Sequence, residues 1–316
     1  MKKQQQAKGK IAIVGAGTIG LYLAIKLSQK GYDIVVFEKK KKIGNKVCSG
    51  LFSERILNFF PESKKLIQNR IKSAVLNFPK KSVEVFFSKE FLVMSHYELD
   101  KLAASIARKA GVKIILGKDV NSIPLGFDRI IGCDGANSFV RRYLGFNGMN
   151  FRLGVQGFVK KRSFNKYVEV WPCNNGFIWK IPRRKEIEYG IISKPDLSLK
   201  IFKSFLDSNN ISVSRVKSKI IPQGFVIPKN KSITLCGDSA GLTKPWSGGG
   251  VIWGLKAADI LIDSYPDFKK YRKRAKRFFK LKIKKSKMIT RLVYFIGFKM
   301  PWILPKKSFI ESDYLF

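Results

Sequence analysis

Acidic residues are scarce in this chain: 22 Asp and Glu stand against 62 Lys and Arg in 316 residues, a formal net charge of +40. Such an excess favours an anionic partner, either nucleic acid or a phospholipid surface. The joint abundance of Lys, Ile, Phe and Asn also fits a biased coding composition. Histidine occurs once, at His96, and the four cysteines, Cys48, Cys133, Cys173 and Cys236, are scattered with no CxxC pair. Neither a disulfide framework nor a zinc site is indicated. Paired Cys/His ligands and an RNP-type aromatic strand are both missing, so no recognisable nucleic-acid module supports that partner. No stretch of about 20 uninterrupted apolar residues is present to span a membrane. The basic start, Met1 to Lys10, precedes an apolar run as in a secretory signal, but a glycine turn breaks the run and Lys26 and Lys30 follow on an amphipathic helix. A cytoplasmic chain is therefore expected.

With 45% hydrophobic residues the chain can bury a substantial core. Its organising stretch is Ile11 to Glu38. The apolar run Ile11-Ala12-Ile13-Val14 leads into Gly15-Ala16-Gly17-Thr18-Ile19-Gly20, a helical pattern follows, and Ile34-Val35-Val36-Phe37 ends in Glu38. Strand, tight turn, helix and strand in that order make a dinucleotide-binding unit. Gly15 permits the sharp turn, Gly17 lets backbone approach a pyrophosphate, and Gly20 lets helix and strand pack closely. Phosphates then sit on the helix N-terminus. Glu38, at the end of the second strand, is placed to accept bonds from a ribose hydroxyl.

Further along, alternating segments at Ala74–Phe78, Val83–Phe87 and Phe91–Met94 predict a small antiparallel unit inserted into the nucleotide-binding fold. A helix is expected over Tyr97–Ala110 with Gly111 as its C-cap. His96, just before it, suits a capping or structural role better than catalysis. A strand then delivers Asp134-Gly135 to a turn, with Ser138, Arg141 and Arg142 following. Residues 151–221 read as a second sheet with one helix over it, where Phe158, Tyr167, Trp171, Phe177 and Trp179 suit either an apolar substrate wall or an ordinary core. Last, a strand presents Gly237-Asp238, and Pro245 precedes Gly248-Gly249-Gly250 at the opening of a helix. That helix start offers N–H groups and a positive dipole end to an electron-rich ligand atom. Asp238 beside glycine suits a sugar alcohol such as a ribityl chain.

Taken together these stretches resemble the aromatic-hydroxylase-like flavoprotein superfamily and, within it, the geranylgeranyl reductases. The resemblance covers roughly residues 10 to 265. It implies an α/β fold: a Rossmann-type FAD-binding domain (1–150 and 222–265, with the β insertion about 74–94), an interleaved antiparallel-sheet substrate domain (151–221), and a short, basic, amphipathic helical C-terminal region (266–316). It implies FAD held by Gly15, Gly17, Gly20, Glu38, Asp134, Gly135, Arg141, Gly237, Asp238, Pro245, Gly248, Gly249 and Gly250. Lys46-Val47-Cys48-Ser49-Gly50 looks like the reductases' cysteine-glycine segment beside the flavin ring. Cys48 is thereby a candidate catalytic residue, and Cys48, Ser49 and Gly50 are candidate cofactor contacts. Gly176-Phe177-Ile178-Trp179-Lys180-Ile181-Pro182-Arg183 resembles the segment lining the hydrocarbon tunnel, which makes Phe177, Trp179, Pro182 and Arg183 candidate substrate residues. Ile181 replaces the usual Phe, Arg183 the usual Lys, and His96 stands where many relatives carry Arg.

What the resemblance implies is an FAD-dependent reductase that saturates C=C bonds of geranylgeranyl chains of membrane lipids or their precursors, with an electron donor that the sequence does not identify. Its alternatives are a flavin monooxygenase of an apolar aromatic substrate and a basic nucleic-acid-binding surface protein. Beyond the resemblance, Phe268 to Lys287 is densely basic with no acid, and Met288 to Leu304 is mostly apolar. A helix of that kind can lie in a lipid interface, so a peripheral position on an anionic membrane surface is expected, the other reading being a solvated helix that caps the domain.

Overall fold

The computed structural model describes residues 8–44, 47–173 and 175–311. The chain opens with strand β1 (Lys10–Val14), helix α1 (Thr18–Gln29) and β2 (Asp33–Glu38). There follow β3 (Leu51–Ser53), the single turn α2 (Ile56–Phe59), β4 (Ile67–Phe78), β5 (Lys81–Met94), α3 (His96–Lys109), β6 (Lys113–Leu116), β7 (Arg129–Gly132) and α4 (Phe139–Tyr143). The middle of the chain supplies β8 (Asn150–Val159), β9 (Tyr167–Cys173), β10 (Gly176–Pro182), β11 (Ile187–Ser193), α5 (Ser198–Ser208) and β12 (Ser214–Gln223). It closes with β13 (Ile233–Leu235), α6 (Val251–Ser264), α7 (Phe268–Lys299) and β14 (Lys307–Ile310).

Five parallel strands in the order β13-β7-β1-β2-β6 form the nucleotide-binding sheet. Covered on its faces, this sheet needs near-continuous apolar strands, and Ile11 to Val14 are all buried. The glycine turn sits at the carboxyl end of β1, beside the ends of β7 and β13, where open parallel sheets bind ligands.

A nine-stranded, mostly antiparallel sheet carries the order β12-β8-β11-β10-β9-β4-β5-β14, with β3 paired to β5. This corrects the expected small insertion at 74–94. The three short segments are parts of two long strands, and β4 runs parallel to β9, so that unit merges with the 151–221 strands into one sheet. An irregularity explains the reading: Ile71 pairs with Phe91 but Ser73 with Phe86, so β5 carries extra residues between them. In a one-dimensional pattern such a bulge looks like a break between strands.

In the C-terminal region the basic and apolar halves form one continuous helix of 32 residues, about 48 Å long. Asp267 caps it by accepting from the N–H groups of Lys269 and Lys270 at 2.8 and 3.0 Å, and Pro301 follows its end. So many like charges oppose a free helix. Tertiary packing compensates: Phe268, Tyr271, Ala275 and Phe279 form a buried stripe against the Rossmann-side core. Farther along, Val293 and Tyr294 pack on the core of the larger sheet. The chain then adds β14 to that sheet, parallel to β5, an edge strand that sequence periodicity missed.

Candidate functional site

One cavity lies where the two sheets meet. Gly17, Thr18 and Ile19 reach it from the start of α1, Cys48 and Ser49 from the loop after β2, and Cys133 and Gly135 from the turn after β7. Asp238 and Gly248, Gly249 and Gly250 enter from the approach to α6, and Phe177 and Trp179 from β10. Segments far apart in sequence thus converge because the parallel sheet collects their carboxyl ends at one edge.

The glycine turn is built as its sequence predicts. Gly15 has φ +105°, and a Cβ there would stand 2.4 Å from the Cys133 carbonyl oxygen. At Gly20 a Cβ would meet the Gly15 carbonyl oxygen at 2.1 Å, so only glycine lets α1 close on β1. Neither residue lines the cavity, and their part is to shape the turn. Glu38 takes the Ala16 N–H on Oε2 at 2.9 Å and the Lys40 N–H on Oε1 at 3.0 Å. It pins the turn to β2 and keeps lone pairs for a ribose hydroxyl.

Helix α1 has no side-chain cap and no acid in its first turn, and the same is true of α6. Both begin at the cavity. Two uncapped helix starts, each with outward N–H groups and a positive dipole end, fit the two electron-rich parts of FAD, the pyrophosphate and the flavin pyrimidine edge.

Several expected contacts sit elsewhere. Asp134 accepts from Ser138 Oγ at 2.6 Å and the Val140 N–H at 3.1 Å, capping α4 rather than lining the cavity. Arg141 is buried, donating to the carbonyls of Ser239 (3.2 Å) and Ala136 (2.7 Å), where it clamps the β7 and β13 turns together. Pro182 ends β10, and its carbonyl accepts from Asn69 Nδ2. Arg183, expected at the substrate, donates to the Ser49 carbonyl at 3.1 Å and lies 3.4 Å from Glu188. It therefore supports the Cys48-Ser49-Gly50 loop from behind. Gly50, φ +62°, leaves no space for a Cβ, which would lie 2.1 Å from the Met94 carbonyl. Gly237 and Pro245 lie beside the lining residues without joining them. Lys46, at the start of the cysteine segment, is outside the described residues.

The structure also assembles what the sequence left apart. His96, read as structural, lines the cavity and faces Cys48. His96 Nε2 and Thr18 Oγ1 are 2.9 Å apart, and Thr18 Oγ1 donates to Asp100 Oδ1 at 2.6 Å. With its proton committed to Asp100, the Thr18 hydroxyl accepts from Nε2–H. Asp100 is fully buried and lies 3.6 Å from the ring. Burial pushes the His96 pKa down, but the Asp100 carboxylate and Cys48 outweigh it and raise it to about 9. Burial pushes the Cys48 thiol up, yet His96, the Gly50 N–H and Lys219 lower it to about 7. The two shifts are in the directions that favour a thiolate–imidazolium pair inside the cavity. The legible signal was spacing: His96 and Asp100 stand four apart on one helix face.

Lys219 is a site residue that the sequence did not single out. It lines the cavity and pairs with Asp238 at 3.0 Å, and that carboxylate holds its ammonium charged. Asp238 thus enters the cavity with a cation beside it.

The apolar wall is also fixed from behind. Trp179 Nε1 donates to Glu188 Oε1 at 3.0 Å, and burial pushes the Glu188 carboxyl up to about 8 against the pull of Arg183. The indole lies over Gly190, where a Cβ would stand 2.2 Å from its ring. Gly190→Ala is expected to cost about 2 kcal/mol by overpacking, seen as an earlier midpoint in denaturant unfolding followed by tryptophan fluorescence.

Known proteins share this fold. The family description NAD(P)-binding Rossmann-like domain matches residues 13–54. Digeranylgeranylglycerophospholipid reductase of Methanothrix thermoacetophila is 23% identical, the match covering 79% of this chain and 75% of the relative. Among solved structures, a geranylgeranyl bacteriochlorophyll reductase-like protein from Thermoplasma acidophilum superposes with a TM-score of 0.72 at 20% identity, over 85% of this chain and 83% of that one. CmlS, a flavin-dependent halogenase, gives 0.73 at 17% identity, over 98% of this chain and 69% of its own. From the cradle, the fold and these relatives together, the chain is an FAD-dependent oxidoreductase similar to the geranylgeranyl reductases.

Proposed function

We propose that the chain saturates C=C bonds of geranylgeranyl chains carried by membrane lipids or their precursors. The observation that carries this reading is the meeting, in one cavity, of the Phe177 and Trp179 wall with the Cys48–His96 pair and the glycine cradle. FAD, once reduced, supplies a hydride. The protein has three tasks. Gly17, in a turn shaped by Gly15 and Gly20, would hold the cofactor together with Glu38 and Asp238. Phe177 and Trp179 hold an apolar chain and exclude water from it. The Cys48–His96 pair, with one proton shared between sulfur and imidazole, holds the proton that the second alkene carbon must receive.

The test is direct. Purified protein should be yellow and, reduced chemically and incubated with unsaturated archaeal-type lipid, should add two hydrogens per bond by mass spectrometry. A flavin-loaded enzyme that adds no hydrogen to such lipids overturns the reading. NADPH oxidation coupled to oxygen uptake on an aromatic substrate would replace it with hydroxylation.

A further inference from the structure

Half of the exposed large apolar residues in the described chain lie in one segment, 281–309: eight of sixteen. Four of them, Leu281, Met288, Leu292 and Phe295, recur at intervals of seven, four and three along α7. At about 100° per residue this spacing places them on one face within an arc of about 60°. The buried positions of the same helix, Phe279, Ser286 and Gly297, fall on the other side. Helix α7 therefore carries two apolar stripes, one packed into the protein and one open to solvent. Ordinary surface helices carry a single apolar stripe, and an open second one marks an interaction face.

Charge identifies the partner. From Phe268 to Ile310 the chain has sixteen Lys and Arg and neither Asp nor Glu. Lys284, Lys285, Arg291 and Lys299 border the exposed stripe and are themselves exposed. Beyond the helix end Trp302, 71% exposed, and Ile303 continue the apolar surface. An apolar stripe edged by cations, with a tryptophan at its end, matches an interface between acyl chains and anionic headgroups. A nucleic acid would use the cations but leave the aliphatic stripe wet.

We infer that α7, from Leu281 to its end, together with Trp302 and Ile303, is a docking face that lies flat on an anionic phospholipid bilayer. The same helix touches the back of the cavity wall. Tyr294 Oη donates to the Gly176 carbonyl at 2.6 Å, Trp246 Nε1 donates to Tyr294 Oη at 3.3 Å, and Trp246 stacks on Phe177 at 4.7 Å. Docking would hold the apolar wall beside the bilayer. This deepens the lipid-reductase reading but is tested without turnover, so either can fail alone.

Full-length protein would be floated with phosphatidylcholine vesicles with and without phosphatidylglycerol. Binding at least about tenfold tighter to the anionic vesicles is expected, with a blue shift of tryptophan emission that Trp302→Phe removes. The double variant Leu292→Glu, Phe295→Glu, at exposed positions that leave the core intact, should weaken binding about tenfold or more with circular dichroism unchanged. Vesicle binding equal in wild type and this variant overturns the inference, because charge alone would then account for it. So does capture of RNA without vesicles, or a stable dimer that hides the stripe.

Discussion

Gly15→Ala protein is expected to purify without flavin colour. The Cβ it introduces would meet backbone only: the Cys133 carbonyl oxygen at 2.4 Å, its carbon at 2.7 Å and the Asp134 Cα at 2.9 Å. No side chain can turn aside to accommodate it. The Cys133 N–H donates to the Val14 carbonyl at 2.7 Å, so β1 and β7 are tied at the point that would have to open. A φ of +105° adds backbone strain. Overpacking of this kind costs up to about 3 kcal/mol, or about 100-fold in an equilibrium constant if it falls on cofactor binding. Titration of apoprotein with FAD, followed by flavin fluorescence, measures it. Gly111→Ala is the control: its φ is +81° but nothing lies within 4 Å, so FAD affinity should stay unchanged. Equal FAD affinity in wild type and Gly15→Ala would show that the turn does not cradle the cofactor.

The second large effect concerns Cys48. Cys48→Ala is expected to lower reductive turnover by about 10²–10⁴, the range for disabling a positioned acid–base pair, while the flavin spectrum persists. The pH dependence of thiol alkylation, read by mass spectrometry on the Cys48 peptide, isolates the part played by His96. Because the thiolate is the nucleophile and the thiol is lowered to about 7, alkylation should rise through about pH 7. In His96→Gln the imidazolium is gone while burial, the Gly50 N–H and Lys219 remain, so the rise should move upward from about 7 toward or past the ordinary thiol value of 9. A midpoint that stays near 7 would remove His96 from the pair. Above about pH 9, where the wild-type imidazolium itself loses its proton, the pair holds no proton to give and turnover should fall.

The Rossmann half was legible because its signals are local. Gly15, Gly17 and Gly20 are required by backbone geometry within a few residues, and apolar strands announce a sheet buried on both faces. The apolar cavity wall was legible only with the resemblance, since Phe177 and Trp179 alone read equally as core. Less legible were charged residues whose partners are distant. Arg183 reads as a substrate contact, yet it is spent on Ser49 and Glu188 behind the loop. Arg141 reads as a cofactor contact and is a buried clamp. Lys219 is not singled out by any local pattern, yet it meets Asp238 in the cavity. A formal charge states what a side chain can bind, while burial and topology decide what it meets.

By itself the sequence determined the strand-turn-helix unit, its fitness for a dinucleotide and the basic character of the last helix, because each depends on steric or compositional constraints local in the chain. Only the tertiary structure decided that the 74–94 strands join the larger sheet, that α7 bridges both cores, and that Cys48 faces His96. Those outcomes depend on register and on side chains 48 or more residues apart being brought into one low-dielectric cavity, where a weak thiol and a single imidazole become an ion pair.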